Sequence, residues 1–247
     1  MATEDVSKTE DGANEPKLYR LRIDVEPVAS GGLTPALFAL LRLNALHCGC
    51  GPILHQGWLN TDICVFRGRN GVETKPGDLV RMTGRYYYRH DLEAPLPLPD
   101  ASMRQILSEH LLEHLSRPMA VAWLADMRRI LAPGGVLRLS TPDLEIYVRG
   151  YLDPEQAFFR RHVTLLREMN YSSAKDSRAW VMNQLFRMWG HEWIYDMDEI
   201  VALAVAAGFP RSAVRRVAYR EGTDMKMAAL DHPGRHDESI YVEMVKG

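Results

Sequence analysis

The stretch that most limits how this chain can fold is Leu46-His47-Cys48-Gly49-Cys50-Gly51, with Asp62 eleven residues beyond Gly51. Asn44 to Cys48 reads as a short apolar strand that runs directly into a paired-glycine turn. Glycine has no Cβ, so the backbone can turn sharply there and a ligand can approach the main chain closely. Trp58 to Ile63 reads as the next strand. An acid at its end is well placed to accept hydrogen bonds from ribose hydroxyls.

The flanking sequence supplies the elements such a turn needs. Residues 1–16 are polar and acidic and are expected to be disordered. Residues 17–42 form an extension with a strand in which Tyr19, Leu21, Ile23 and Val25 alternate with charged residues. A short helix follows, capped by Thr34 with Pro35 at its first position. Residues 66–84 are glycine-rich and read as loop. Tyr86-Tyr87-Tyr88 opens a third strand ending near Asp91-Leu92, and Pro95, Pro97 and Pro99 enforce an extended connection. Met103–Leu107 is a strand stopping at Ser108-Glu109-His110. A helix from about Pro118 then carries the stripe Val121, Leu124, Met127 and Leu131.

Pro133-Gly134-Gly135 ends that helix and launches a strand at Val136–Ser140. The region 151–195 is helical in pattern and rich in large side chains, among them Phe158, Phe159, Trp180, Phe186 and Trp189. Asp196 with Glu199 starts another helix as a capping box, and Gly208 ends it. Val214–Tyr219 and Ser239–Val245 close the chain as strands. Strands alternating with helices from residue 44 predict a mostly parallel sheet with helices on both faces. Ligands bind such sheets beyond the carboxyl ends of the strands, where the strand order reverses. Gly49, Asp62, Asp91 and Ser108–His110 should therefore converge on one edge.

A net charge of −2 over 247 residues offers no basic field for nucleic acid or an anionic membrane. Three cysteines close in sequence (Cys48, Cys50, Cys64) are not a disulfide framework and fit a reducing compartment. With no targeting segment and no long apolar run, the cytoplasm is the expected location.

The cofactor follows partly by elimination. A dinucleotide site needs a third small residue, a helix starting at the turn, and an acid about twenty residues on. Here Leu54 stands in the third glycine's place and Asp62 comes too soon for a standard helix. A GK[ST] phosphate loop is also absent. The pattern favours a nucleoside cofactor without phosphates, S-adenosylmethionine first among them.

Taken together, several blocks resemble a class I S-adenosylmethionine-dependent methyltransferase of the type 11 kind. They are Leu46–Gly51, Gly57-Trp58-Leu59-Asn60-Thr61-Asp62, Asp91–Asp100, Ser108–Leu115, Arg129–Leu137, Gly190–Asp196 and Ala206–Phe209. The resemblance implies a Rossmann-like, mostly parallel seven-stranded α/β sheet over residues 43–247, with residues 151–195 inserted as a helical cap. It implies that His47, Gly49, Cys50, Gly51, Asp62, Ile63, Asp91, Leu92 and Ser108 line the cofactor site. Met103-Arg104 departs from the usual Phe-Asp of the family and reads as a surface change.

Methyl transfer from a sulfonium needs alignment and exclusion of water, with a base where the acceptor is a hydroxyl. His110 is the first candidate base, Glu109 the second, and His191 could reach the same cavity from the far side. A structural role for each histidine is the competing reading. His110-Leu111-Leu112-Glu113-His114 also matches an inverted zinc-peptidase motif, but no third ligand stands out, and no metal is expected. His47, Cys48, Cys50 and His55 give an equally weak metal signal. The expected acceptor is a small, partly apolar metabolite methylated on oxygen or nitrogen. A protein- or carrier-bound acceptor, or a cofactor-binding module without turnover, are the alternatives. A homodimer is allowed.

Overall fold

The computed structural model describes residues 3–5, 16–169, 171 and 174–247. In chain order the elements begin with β1 (Thr3–Asp5), β2 (Leu18–Leu21), β3 (Glu26–Ala29) and α1 (Pro35–Leu41). Next come β4 (Ala45–Cys48), β5 (Leu59–Asp62), β6 (Val65–Arg67), β7 (Leu79–Met82), β8 (Arg85–Arg89) and β9 (Met103–Glu109). A single 3-10 turn (Leu112–His114) leads into α2 (Arg117–Ile130) and β10 (Leu131–Pro142). The remainder is α3 (Leu144–Leu152), α4 (Ala157–Glu168), α5 (Arg178–Arg187), α6 (Met197–Ala206), β11 (Val214–Val217), α7 (Met225–Ala228) and β12 (Ser239–Val245).

The main sheet is mixed and nine-stranded, in the order β11-β12-β10-β9-β4-β5-β8-β7-β3. This corrects the expected seven strands. The central five, β10, β9, β4, β5 and β8, pair in parallel. Beyond them β12 and β11 pair antiparallel on one side, and β7 and β3 on the other. The extra strands come from segments read as extension and loop: Glu26–Ala29, and Leu79–Met82 within the glycine-rich stretch. The parallel strands that follow β4, namely β5 and β8, lie to one side of it, and the one that follows β9, β10, lies to the other. The switch point therefore lies between β4 and β9.

Helices on both faces were also expected; α7 lies on the face opposite α1, α2 and α6, but over β5, β8 and β7 that face is covered differently. Alternate side chains of a strand point to opposite faces. Leu46, Cys48, Leu59, Tyr88, Leu137 and Val242 face one way, into a core shared with Phe38 of α1, Trp123, Leu124 and Met127 of α2, and Ile200 and Leu203 of α6. Tyr87, beside Tyr88, faces the other way. It joins Val80 and Met82 under Tyr19, Leu21 and Phe66, contributed by a small β1-β2-β6 sheet. A second sheet thus covers ground where crossover helices were expected. The reason lies in chain length: only residues 49–58 join β4 to its parallel neighbour β5, too few for a helical crossover.

Asn60 makes that short connection possible. Its buried side chain accepts from His55 N at 2.8 Å and donates to the carbonyls of His55 (3.0 Å) and Tyr86 (2.9 Å). It thus stitches the turn to the sheet.

Local signals fared well elsewhere. Thr34 caps α1 by accepting from Leu37 N, and Asp196 caps α6 by accepting from Glu199 N. Pro133-Gly134-Gly135, expected to end the helix and launch the strand, instead lies inside β10, which follows directly on Ile130 and shifts register between Leu131 and Val136. Arg104 is exposed, in keeping with a surface change. The disorder expected for residues 1–16 falls mostly outside the described residues; Thr3–Asp5, which are described, pair with β2 instead.

Tyr147 of α3 packs with Phe158, Phe159 and Val163 of α4 and Val181 and Leu185 of α5. No helix of the described residues is long and apolar enough to cross a membrane.

Candidate active site

The turn after β4 and the ends of β5, β8 and β9 meet at the switch edge. Gly49 (φ +65°) and Gly51 (φ +49°) both adopt the left-handed conformation. A Cβ on Gly49 would lie 2.9 Å from the Leu111 Cβ, whereas one on Gly51 would meet nothing within 4 Å. Gly49 therefore lets the segment after β9 close over the turn, and Gly51 faces open space.

Asp62 ties the two strands' ends together. Its Oδ2 accepts from Gly51 N at 2.8 Å and its Oδ1 from Cys64 N at 3.0 Å. Beneath it, the buried Tyr87 hydroxyl donates toward the carbonyls of Asp62 (2.8 Å) and Cys64 (2.6 Å). A carboxylate has about four acceptor positions, so the partly exposed Asp62 keeps about half of them for a ligand. Ile63 is exposed beside it. Asp91 is exposed, with its side chain accepting from Glu93 N at 3.0 Å, and Leu92 is buried in the main core.

Two expected cofactor contacts belong to the scaffold instead. His47 lies on the far face of β4, 2% exposed, with its ring stacked on His55 at 4.6 Å. Burial, reinforced by His55, pushes its imidazole down to about 3. The side chain of Cys50 is buried in the second core and its amide donates to Thr61 O, so no side-chain atom of Cys50 faces the site. Ser108 is buried in β9 between β4 and β10. Cys48, Cys50 and Cys64 are unpaired, and burial pushes all three thiols up, away from the thiolate a metal would take.

The candidate bases are engaged. His110, at φ +51°, has Nε2 at 2.7 Å from Ser239 Oγ, and that hydroxyl donates to Arg235 O. Its Nδ1 lies 3.0 Å from Glu113 Oε1. His110 Nε2 is thus engaged by Ser239, and its Nδ1 sits beside the Glu113 carboxylate. The Glu109 carboxyl is pushed up by burial, and Oε1 accepts from His232 N at 2.8 Å, which leaves Oε2 for another donor. Glu113 is fully buried and accepts from Thr141 Oγ1 at 3.0 Å. Burial alone would raise its carboxyl, but His110, His114 and His191 together hold it down to about 2. Two of the three expected catalytic residues, His110 and His191, therefore converge on a glutamate singled out only as part of a peptidase motif.

Residues the sequence did not mark complete the edge. Ser239, at the start of β12, is reached only through the antiparallel strand pairing. With Arg216, Tyr219, His236 and Tyr241 it lines an open cavity of about 450 Å³. Tyr219 stacks on His236 at 5.0 Å, and Arg216 is paired with Asp143 at 2.7 Å. The aromatic cap segment, in contrast, spends Tyr147, Phe158 and Phe159 on its own core.

A glycine turn bracketed by an acid thus lies at the switch point of the sheet. Residues 46–139 match the family model of the methyltransferase domain. It is 29% identical over 125 residues to a probable S-adenosylmethionine-dependent methyltransferase of Mycolicibacterium smegmatis, covering 49% of this chain. The chain spans about half of that relative, 46% of its length. Among solved structures it is similar to an S-adenosylmethionine-dependent methyltransferase from Mesorhizobium loti (18% identity, TM-score 0.44, 86% of this chain and 96% of that one). It is also similar to a magnesium protoporphyrin IX methyltransferase from Synechocystis with bound SAH (13% identity, TM-score 0.41, 83% and 74%).

The residues present fit S-adenosylmethionine. Gly51 opens onto free space, Asp62 retains acceptor capacity, and Ile63 and Leu92 offer apolar contact beside the polar Asp91.

Proposed function

We propose that the protein transfers a methyl group from S-adenosylmethionine to an oxygen or nitrogen of a small, partly apolar acceptor. The observation that carries this reading is the Gly51–Asp62 bracket at the switch point, with open space over Gly51 and unspent acceptor positions on Asp62. When bound, the cofactor supplies an electrophilic methyl on a sulfonium whose departure needs no proton. Asp62 would accept from the ribose hydroxyls, Asp91 from the adenine amine, and Ile63 and Leu92 would flank the ring. Gly49 and Gly51 let the cofactor lie against bare backbone.

His110 acts through position: it joins Ser239 to Glu113 and so fixes the floor between the cofactor edge and the cavity. Glu109, raised by burial and with Oε2 outside the His232 bond, is the better candidate to take a proton from a hydroxyl acceptor. The acceptor cavity is the one lined by Tyr219, Tyr241 and His236. At about 450 Å³ it is of small-molecule size, and it shares Ser239 with the His110 pair. The reading places the protein in a reducing compartment, the cytoplasm, because its cysteines are unpaired. It names a metabolite as partner, with no nucleic acid or membrane, and allows a homodimer.

The test is incubation of the full chain with methyl-labelled S-adenosylmethionine and fractionated metabolite extract. A labelled small product, lost in Asp62→Ala, is expected. Label on protein fractions would favour a carrier- or protein-bound acceptor. Cofactor binding with no labelled product in any fraction would favour a module without turnover.

A further inference from the structure

The cluster around Glu113 is more than a buried ion pair. Glu113 and His114 come from the 3-10 turn after β9, and His191 comes from the turn that leaves α5. One ligand atom from each of the three lies within 4.8 Å of the others. The two imidazole rings stand edge to face at 5.0 Å. The turn bearing His191 is fastened in place: Glu192 N and Trp193 N both donate to Glu113 O, at 2.7 and 3.2 Å.

Two observations point to a ligand. Glu113 Oε1 is fully buried and, although His110 Nδ1 is 3.0 Å away, no donor points along a hydrogen-bond direction to it. His191 Nδ1 lies 2.6 Å from Leu185 O. Nδ1 must donate there, so in the neutral ring Nε2 is the nitrogen free to ligate. A carbonyl that sets the tautomer of a metal-ligating histidine is the usual outer partner of such a site.

We propose that Glu113, His114 and His191 bind one divalent transition-metal ion, Zn²⁺ by the preference of a mixed imidazole and carboxylate set, and that the ion pins the helical cap to the switch edge. The peptidase constellation would use His110 and His114 as ligands and Glu113 as base. Here His110 is held by Ser239, and Glu113 is itself a ligand. The third ligand that the sequence did not reveal is His191, 77 residues after His114, brought in by the cap.

The test uses chelator-treated full chain without cofactor, so its result is separate from that of the methyl-transfer reading. Zn²⁺ is titrated by calorimetry, and Co²⁺ is added for its visible d–d absorption. The expected result is one ion per chain, with low-coordinate Co²⁺ absorption and slower hydrogen exchange across residues 178–195. Affinity should fall at least tenfold in His191→Gln and in His114→Gln, and should be unchanged in His236→Gln, a histidine outside the cluster. His191 is only partly buried, so its variant is expected to keep the wild-type circular dichroism, which is recorded alongside. Absence of stoichiometric binding by the wild type would overturn the proposal. So would binding that survives in both cluster variants, or that falls equally in His236→Gln.

Discussion

Alanine at Gly49 and alanine at Gly51 should separate two roles within one turn. Both positions have positive φ, so each alanine carries backbone strain of roughly 1–2 kcal/mol. At Gly49 the new methyl would also stand 2.9 Å from the Leu111 Cβ, an atom fixed to backbone that cannot swing aside. Relieving that overlap costs about 1–3 kcal/mol more. Gly49→Ala is therefore expected to lose about 2–5 kcal/mol of stability, and Gly51→Ala only about 1–2 kcal/mol. Cofactor binding should show the reverse order. Gly51→Ala puts its methyl into the space assigned to the cofactor and should weaken affinity in protein that remains folded. Urea unfolding gives the first quantity and calorimetry with S-adenosylhomocysteine the second. Equal stability losses would refute the Leu111 contact, and wild-type affinity in Gly51→Ala would refute the placement of the cofactor.

Asn60→Ala strands the buried amide and carbonyl of His55 and the carbonyl of Tyr86, and should cost about 2–4 kcal/mol in urea unfolding; a change under 1 kcal/mol would mean the 49–58 turn closes without it. His47 carries a pH dependence. Its folded value is depressed from 6.5 to about 3, so below pH 6.5 the unfolded chain takes up a proton that the folded chain refuses. Stability should fall as pH drops from 6.5 toward 3, by about 2 kcal/mol at pH 5, and His47→Phe should flatten that slope. An unchanged slope would move the titration to another group. His110→Asn tolerates the positive φ but breaks the link from Ser239 to Glu113, so melting temperature and turnover should fall together. Lost turnover at unchanged stability would return His110 to the role of base.

The sequence showed the site's outline because its cues are local. A glycine's freedom at residues 49 and 51, a carboxylate at a strand end, and caps at Thr34 and Asp196 depend on neighbours a few positions away. Strands β3 and β7 were missed because Glu26–Ala29 and Leu79–Met82 are only four residues each, the latter set among glycines. Their strand character comes from pairing with each other and with β8. His47 and Cys50 were assigned to the cofactor because they sit in the motif. Strand pleating sends the His47 ring to the far face, and the turn sends the Cys50 thiol into the second core. Ser239 and His191 join His110 and Glu113 across 129 and 78 residues, distances over which no sequence periodicity operates. Asn60 was visible as a motif residue, but its function appears only once the ten-residue crossover is seen to close.

The most direct measurement is calorimetric titration of the full chain, wild type and Asp62→Ala, with S-adenosylmethionine. Saturable one-to-one binding by the wild type and its near-complete loss in Asp62→Ala is the expected result, because the variant removes both the proposed ribose acceptor and the bond that holds Gly51 N. Equal affinity in the two proteins, or no binding by the wild type, would contradict a methyl-donor site built on the glycine turn and Asp62.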